Sequence, residues 1–411
     1  VQIEFRTLED IRKCFPKIVG EDENVYVIVL CVVSRLNKNK DFWIMGIVIR
    51  GVSSAGKNHL AKYSIKPWEL LGLVDDFSRL TGAYMERNFA KLSMDLNNKI
   101  LVIYELAGNT PQQLHVVLSE GKLRVGVVDK DTGEPVEYVF EGVPFLLSTT
   151  PSESLRTDLL NRIVTVTINE SDDQTKEIVK NDDLVAENPR LAKELNKQTE
   201  HRARMLATYL SQLRPHYVVV PYARILEKGI RKYHVNLRRD WKKVLAIIQA
   251  SALLFQKYRP KITIDDEEVI VATFEDFQNM MKVFPILRQT LTKLTEPQKK
   301  LLDIMIEEQP ESTQTLDDVS PEYQPIEWTA SELTRVANKL GWAISDRRVR
   351  QILNELTGLG YVVVSKKSGK NYYMVINTAD DVDFTPFEDE IKAAVKAYLE
   401  KHGIDYESCS A

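Results

Sequence analysis

Cysteine is scarce in this chain. Its 411 residues include three, Cys14, Cys31 and Cys409, without paired spacing. That excludes a disulfide framework and a cysteine-bound zinc, and suits a reducing, cytoplasmic compartment. The six histidines are scattered and form no metal-ligand pair, so no transition-metal centre is expected. Long apolar runs are missing too. The longest, such as Val25 to Val33 and Trp43 to Ile49, fall far short of the roughly 20 residues that cross a bilayer, and no membrane partner is expected. No basic stretch leads into an apolar one at the start, so no secretion signal is expected. An excess of positive charge is also lacking. A net charge of −4 argues against a protein that is basic all over, although a local basic face would still suit a nucleic acid.

What is present describes a globular protein. A hydrophobic content of 44% with 28% charged residues places the chain among folded domains, and its length allows two or three of them. Residues 1–40 predict two short helices around an acidic turn, Gly20-Glu21-Asp22-Glu23. Apolar strands are predicted at 43–50, 100–104, 143–147 and 163–168, with a hairpin between them at 122–128 and 136–141. Helices fall between the strands, at 57–63, near 110–119 and up to 161. Short apolar strands alternating with helices mean a parallel sheet covered on both faces. From 172 to 259 the pattern turns helical. Residues 309–327 predict a linker, and the acidic tail from 379 becomes helical to about 402.

The first chemical signal is Gly51-Val52-Ser53-Ser54-Ala55-Gly56-Lys57-Asn58, set between a strand and a helix. Amides of a glycine-containing turn at a helix N-terminus hold an anion, and the helix dipole favours negative charge there. Lys57 is then in reach of the β- and γ-phosphates, with Gly51, Ser53, Ser54, Ala55, Gly56, Asn58 and His59 around them. The residue after the lysine is Asn58, where Ser or Thr normally offers a hydroxyl to magnesium. An ordinary glycine turn is the alternative. The strand Ile100 to Tyr104 ends at Glu105, a candidate to polarise the attacking water and, with Asn58, to hold Mg2+. Usually two acids stand here, whereas this chain has Tyr104 before Glu105. Thr150, ending the next sheet strand, is a candidate γ-phosphate sensor. Arg162 is a candidate arginine finger for a neighbouring subunit's phosphate, although an arginine at a helix end also serves the helix dipole.

With these residues in view, 43–256 resembles the AAA+ core of minichromosome-maintenance (MCM)-type helicases, and above all the related helicase modules of mobile elements. The likeness rests on Gly51 to Lys57, Glu105, Thr150-Pro151, Leu159-Leu160-Asn161-Arg162 and Arg238-Arg239-Asp240-Trp241. It implies a second sensor at Arg239, at the start of a lid helix, and a DNA-touching Lys130 on the inserted hairpin. It also implies ATP and Mg2+ as cofactors and a hexameric homo-oligomeric ring. Asn58 and Tyr104 depart from the family pattern.

Residues 295–377 predict a winged helix: helices at 295–308, 329–340 and 345–358, then a hairpin at 361–377. Arg347, Arg348 and Arg350 on the third helix, with Lys366, Lys367 and Lys370 at the hairpin turn, put cations where a recognition helix and a wing meet DNA. Ile352, Leu353, Leu356 and Leu359 supply the buried stripe. A winged helix that packs only on protein is the alternative. Trp328, Trp342, Tyr372 and Tyr373 read as core or hairpin packing.

The expected fold is therefore α/β: a P-loop (AAA+) parallel sheet with helices on both faces, a helical lid region and a C-terminal winged-helix domain. The expected partition is an N-terminal helical segment (1–40), an ATPase core (41–170), a lid and connecting region (171–293), a DNA-binding domain (294–378) and a helical tail (379–411). The expected activity is ATP-driven DNA translocation or unwinding in replication of a mobile element, with DNA and a primase or other replication protein as expected partners. Two rivals stand beside it. One is a DNA-binding initiator or regulator that binds ATP and barely hydrolyses it. The other is a AAA+ transcription activator or loader.

Overall fold

The computed structural model describes residues 4–51, 55–78, 80–85, 96–104, 112–128, 132–150, 162–230, 237–292, 294, 296–308, 326–367, 369–375 and 382–405. Two compact units emerge. The first comprises Val1–Glu227, His234–Arg288 and Phe387–Ala411, the second Lys228–Tyr233 and Gln289–Pro386.

The first unit is built on a parallel sheet. Its strands are β1 (Gly46–Arg50), β2 (Val74–Phe77), β3 (Ile100–Ile103), β6 (Phe145–Thr150) and β7 (Val164–Thr167), in the order β2-β3-β6-β1-β7. The chain inserts an antiparallel hairpin, β4 (Lys122–Val128) and β5 (Pro135–Glu141), before β6. Consecutive Ile47, Val48 and Ile49 are all fully buried, which a strand achieves only when both faces of its sheet are covered. On one face Val48, Leu101, Ile103 and Leu146 join Leu114, Val117 and Leu118 of the helix Gln112–Glu120 in one apolar cluster. Gly46 has no room for a side chain, because a Cβ there would stand 2.3 Å from the Leu146 carbonyl oxygen. The register Arg50↔Thr150 sets the carboxyl ends of β1 and β6 side by side.

Two local expectations are corrected here. The acidic run at 20–23 is only half a turn: Gly20 takes φ +66, but Asp22 and Glu23 already lie in the first turn of the helix Asp22–Val33. Carboxylates are favourable there against the dipole. That helix is rich in β-branched residues yet buried all round from Asn24 to Val33, so packing overrides propensity. Within the stretch expected to be helical, Tyr217–Val219 forms β8. It joins β9 (Lys261–Ile264) and β10 (Glu267–Val271) in a second sheet of order β8-β10-β9. Asp265 and Asp266 turn the β9–β10 hairpin at φ 49 and 62, the positive values that a two-residue turn demands.

In the second unit the helices Glu296–Glu307, Ala330–Lys339 and Asp346–Gly358 pack on an antiparallel sheet. Its strands are β11 (Glu327–Trp328), β12 (Val362–Lys367) and β13 (Lys370–Val375), ordered β11-β13-β12. Thr329 and Glu332 make a reciprocal capping box at the second helix, a sequence-local start signal. Trp328 and Tyr373 lie in the core, and the Trp328 indole donates to the Met305 carbonyl at 3.1 Å. Val349, Ile352, Leu353 and Leu356 are fully buried. Leu359, expected in that stripe, is 39% exposed, because the helix closes at Gly358 and the chain leaves its face. No helix among the described residues is long and apolar enough to cross a membrane. Cys14 and Cys31 are buried free thiols; burial pushes Cys14 up to about 12.

Candidate nucleotide site and DNA interface

Strand order locates the site. From β1 the chain runs outward to β2 at one edge, whereas β7 lies on the other side of β1. In a parallel sheet a ligand sits at the carboxyl ends of strands where the order reverses in this way. Gly51 follows β1 at that point, and Thr150 ends β6 directly beside Arg50. The helix Lys57–Ser64 begins there, with Gly56 as its cap at φ +90 and ψ 11. Only glycine adopts that conformation readily. Gly51 is required for space, since a Cβ there would meet Ile168 Cγ2 at 2.4 Å.

Lys57 is 8% exposed and folds back over the turn, its ammonium donating to the Gly51 carbonyl at 2.9 Å. A lysine ammonium beside a helix N-terminus offers the cation and amide donors that a polyphosphate needs. Asn58 and His59 are exposed. The His59 ring is tied to the N-terminal segment, with Nε2 2.8 Å from the Lys17 carbonyl and the ring against Tyr63. Asn58 accepts a hydrogen bond at 2.8 Å from the hydroxyl of Thr149, a residue that sequence reasoning passed over in favour of its neighbour Thr150. The adjacent threonines at the end of an apolar strand were the available signal. Both are fully buried, and strand alternation turns them to opposite faces.

At the end of β3, Tyr104 is half-buried. Burial raises its phenol above the ordinary value, and the nearby Asp76 and Glu69 carboxylates raise it further. The ring therefore stays neutral and offers no anionic oxygen where a carboxylate is usual. Ser53, Ser54, Glu105 and Lys130 lie outside the described residues. Among the described residues no group of three or more metal-ligating side chains is present.

Arg162 is half-buried just ahead of β7, at the opposite end of the sheet from the glycine turn. Val164 pairs with Ile47 and Thr167 with Arg50. Val164 is thus already roughly 10 Å behind the carboxyl edge, and Arg162 precedes it. Arg239 lies in the first turns of the helix Leu237–Leu254; its side chain is outside the described set. One turn on, buried Lys243 pairs with Asp240 at 3.0 Å and donates to the Ile163 carbonyl at 3.2 Å. The helix Leu237–Leu254 thus reaches the start of β7 through Lys243.

In the second unit, half of the expected DNA-facing cations already have partners. Arg350 pairs with Asp346 at 2.6 Å, Lys367 with Glu327 at 2.7 Å and Arg348 with Glu355 at 4.0 Å. Arg347, Lys366 and Lys370 are exposed and make no ion pair among the described residues. Trp342 is half-buried against the core with Lys300 over its ring, and Tyr372 is half-buried with Lys367 5.9 Å from its ring centre.

No protein-family model matches the chain, and no curated protein does. Solved structures that resemble it include a full-length MCM homolog from Methanopyrus kandleri, at 12% identity over 69% of this chain and 59% of that one, TM-score 0.41. The chain thus covers 59% of that homolog's length. A putative ATPase from Cytophaga hutchinsonii ATCC 33406 is 10% identical over 69% of this chain and 93% of its own, TM-score 0.34. The apo C-terminal region of NrS-1 is 13% identical over 92% of this chain and 76% of its own, TM-score 0.30. A five-stranded parallel sheet among helices, with Gly51 and the helix N-terminus at Gly56 where its strand order reverses, gives this chain a P-loop-type α/β fold.

Proposed function

We propose that this chain is an MCM-like AAA+ motor that hydrolyses ATP between the subunits of a homo-oligomeric, hexameric ring and moves along DNA during replication of a mobile element, in concert with a primase. One observation carries the reading: Lys57 and the glycine turn occupy one end of the sheet, and Arg162 the other. An arginine that far from the glycine turn is out of reach of its own chain's phosphates, which supports a role toward a neighbour's. Residues 41–170 act as the ATPase core, 171–293 as lid and connection, and 294–378 as a winged-helix DNA-binding domain.

Bound ATP with Mg2+ supplies the phosphoryl group and the cation. The chain's own residues bind and orient them. Lys57 would exchange the Gly51 carbonyl for phosphate oxygens, Asn58 would help hold the cation, and Thr150 would sense the γ-phosphate. Glu105, next in sequence after Tyr104, orients the attacking water. Arg162 and Arg239 of the neighbouring subunit neutralise charge that develops on the phosphate oxygens. Lys130, Arg347, Arg348, Arg350, Lys366, Lys367 and Lys370 meet DNA.

Steady-state ATP turnover with single-stranded DNA tests the proposal. Lys57→Ala and Arg162→Ala should each abolish the DNA-stimulated rate. If both keep the wild-type rate, the site is misassigned. Tyr104 and Asn58 favour one second reading, a DNA-binding initiator for which ATP is only a structural switch. It requires nucleotide binding with essentially no turnover in the wild type.

A further inference from the structure

We infer that Thr149 is a positioning residue for the metal end of the nucleotide site: its hydroxyl sets the Asn58 carboxamide so that the amide oxygen takes the place of the missing hydroxyl ligand. The inference rests on the nucleotide reading above and adds a residue to it.

A carboxamide is a poor substitute for a hydroxyl unless it is oriented. Its two ends have nearly the same shape, its terminal torsion is broad, and one end repels cations while the other attracts them. At an exposed helix N-terminus nothing intrinsic selects the oxygen. Here the selection comes from β6. Thr149 lies beside Ile49 in the sheet register, is fully buried, and brings its hydroxyl to 2.8 Å from Asn58 Oδ1. Threonine is suited to this work, because its branched Cβ restricts χ1 and holds the hydroxyl in one direction. Donation to Oδ1 occupies one of that oxygen's two lone pairs and leaves the other for a cation. Thr149 does not touch the reacting atoms itself; it acts through Asn58. A hydroxyl at position 58 would need no such partner, so the dependence on Thr149 should exist only while residue 58 is asparagine.

The experiment measures metal and nucleotide separately, without turnover. A fluorescent non-hydrolysable ATP analogue is titrated onto the full chain in EDTA and then in rising Mg2+, with Mn2+ binding followed by electron paramagnetic resonance. Thr149→Val keeps the shape and removes the donor. It should raise the metal concentration for half-saturation at least tenfold and leave metal-free analogue affinity within twofold of wild type. Thr149→Ser should behave as wild type, and in an Asn58→Thr background Thr149→Val should have no effect, a coupling read from the double-mutant cycle. The inference is overturned if Thr149→Val moves the metal dependence less than twofold, if the shift persists with Asn58→Thr, or if metal-free affinity falls in parallel, which would make the bond only a tie between helix and sheet. Wild-type protein that binds no analogue with or without metal would instead sink the nucleotide reading itself.

Discussion

Single residues divide by how far apart in sequence their partners stand. The glycine turn was readable because every requirement is local: Gly56 needs a left-handed backbone, Gly51 needs space, and Lys57 needs to reach back six positions. Thr149 was not readable, because its bond spans 91 positions. The same holds for Glu21. It accepts from the Asn169 amide at 3.0 Å, from Gln174 at 2.9 Å and from Asn24, and so ties the helix Asp22–Val33 to the segment after β7. Burial nevertheless pushes its carboxyl above the ordinary value, outweighing those hydrogen bonds. A raised carboxyl binds its proton more tightly in the folded chain, so its contribution is full at low pH and is lost as pH rises through the folded pKa. Urea unfolding of Glu21→Gln and wild type across the acid range should show the difference moving in favour of Gln as pH increases; a pH-independent difference would refute this. The cations of the second unit could not be ranked from sequence alone, because ion pairs are invisible there. Arg347→Ala, Lys366→Ala and Lys370→Ala should each weaken duplex binding and lower the salt slope by about one. Arg350→Ala and Lys367→Ala, each already shared with a carboxylate, should do less in the same fluorescence-anisotropy titration.

Elements were legible where their patterns were long or strongly alternating. The hairpin β4–β5 and the helices Lys57–Ser64 and Asp346–Gly358 announce themselves by alternation, by turn formers or by a capping serine. Short elements did not. β2 carries Asp75 and Asp76 at an edge of the sheet, which hides its strand character, and β8 has three residues. What secures the small sheet is a buried constellation with no sequence signature. Arg259 grips Asp276 through two bonds of 2.8 and 2.9 Å. Ser251 donates to the same carboxylate at 2.7 Å, the Thr273 amide at 2.9 Å, and Tyr222 bonds the Thr273 carbonyl. Removing one side of a buried ion pair leaves the other charge uncompensated. Asp276→Ala should therefore cost about 3–5 kcal/mol, measured by chemical denaturation of the first unit. A loss under about 1 kcal/mol would mean that the pair behaves as an exposed one.

For the molecule as a whole, topology was the part that sequence order could reach. Alternating strands and helices imply a parallel sheet, and the pairing β2-β3-β6-β1-β7 completes it. That the tail Phe387–Ala411 groups with the first unit had no signal in its acidic composition, since only the folded chain brings it there. The placement of Arg162 at the far end of β7 from the glycine turn has a consequence for genetics as well as chemistry. On the function proposed above, each chain would bring one half of two different reaction centres and a whole one of neither. Two dead proteins, one with Lys57→Ala and one with Arg162→Ala, should thus recover part of the ATP turnover when mixed, because some junctions unite an intact lysine with an intact arginine. Dilution below the assembly threshold should silence the wild type itself.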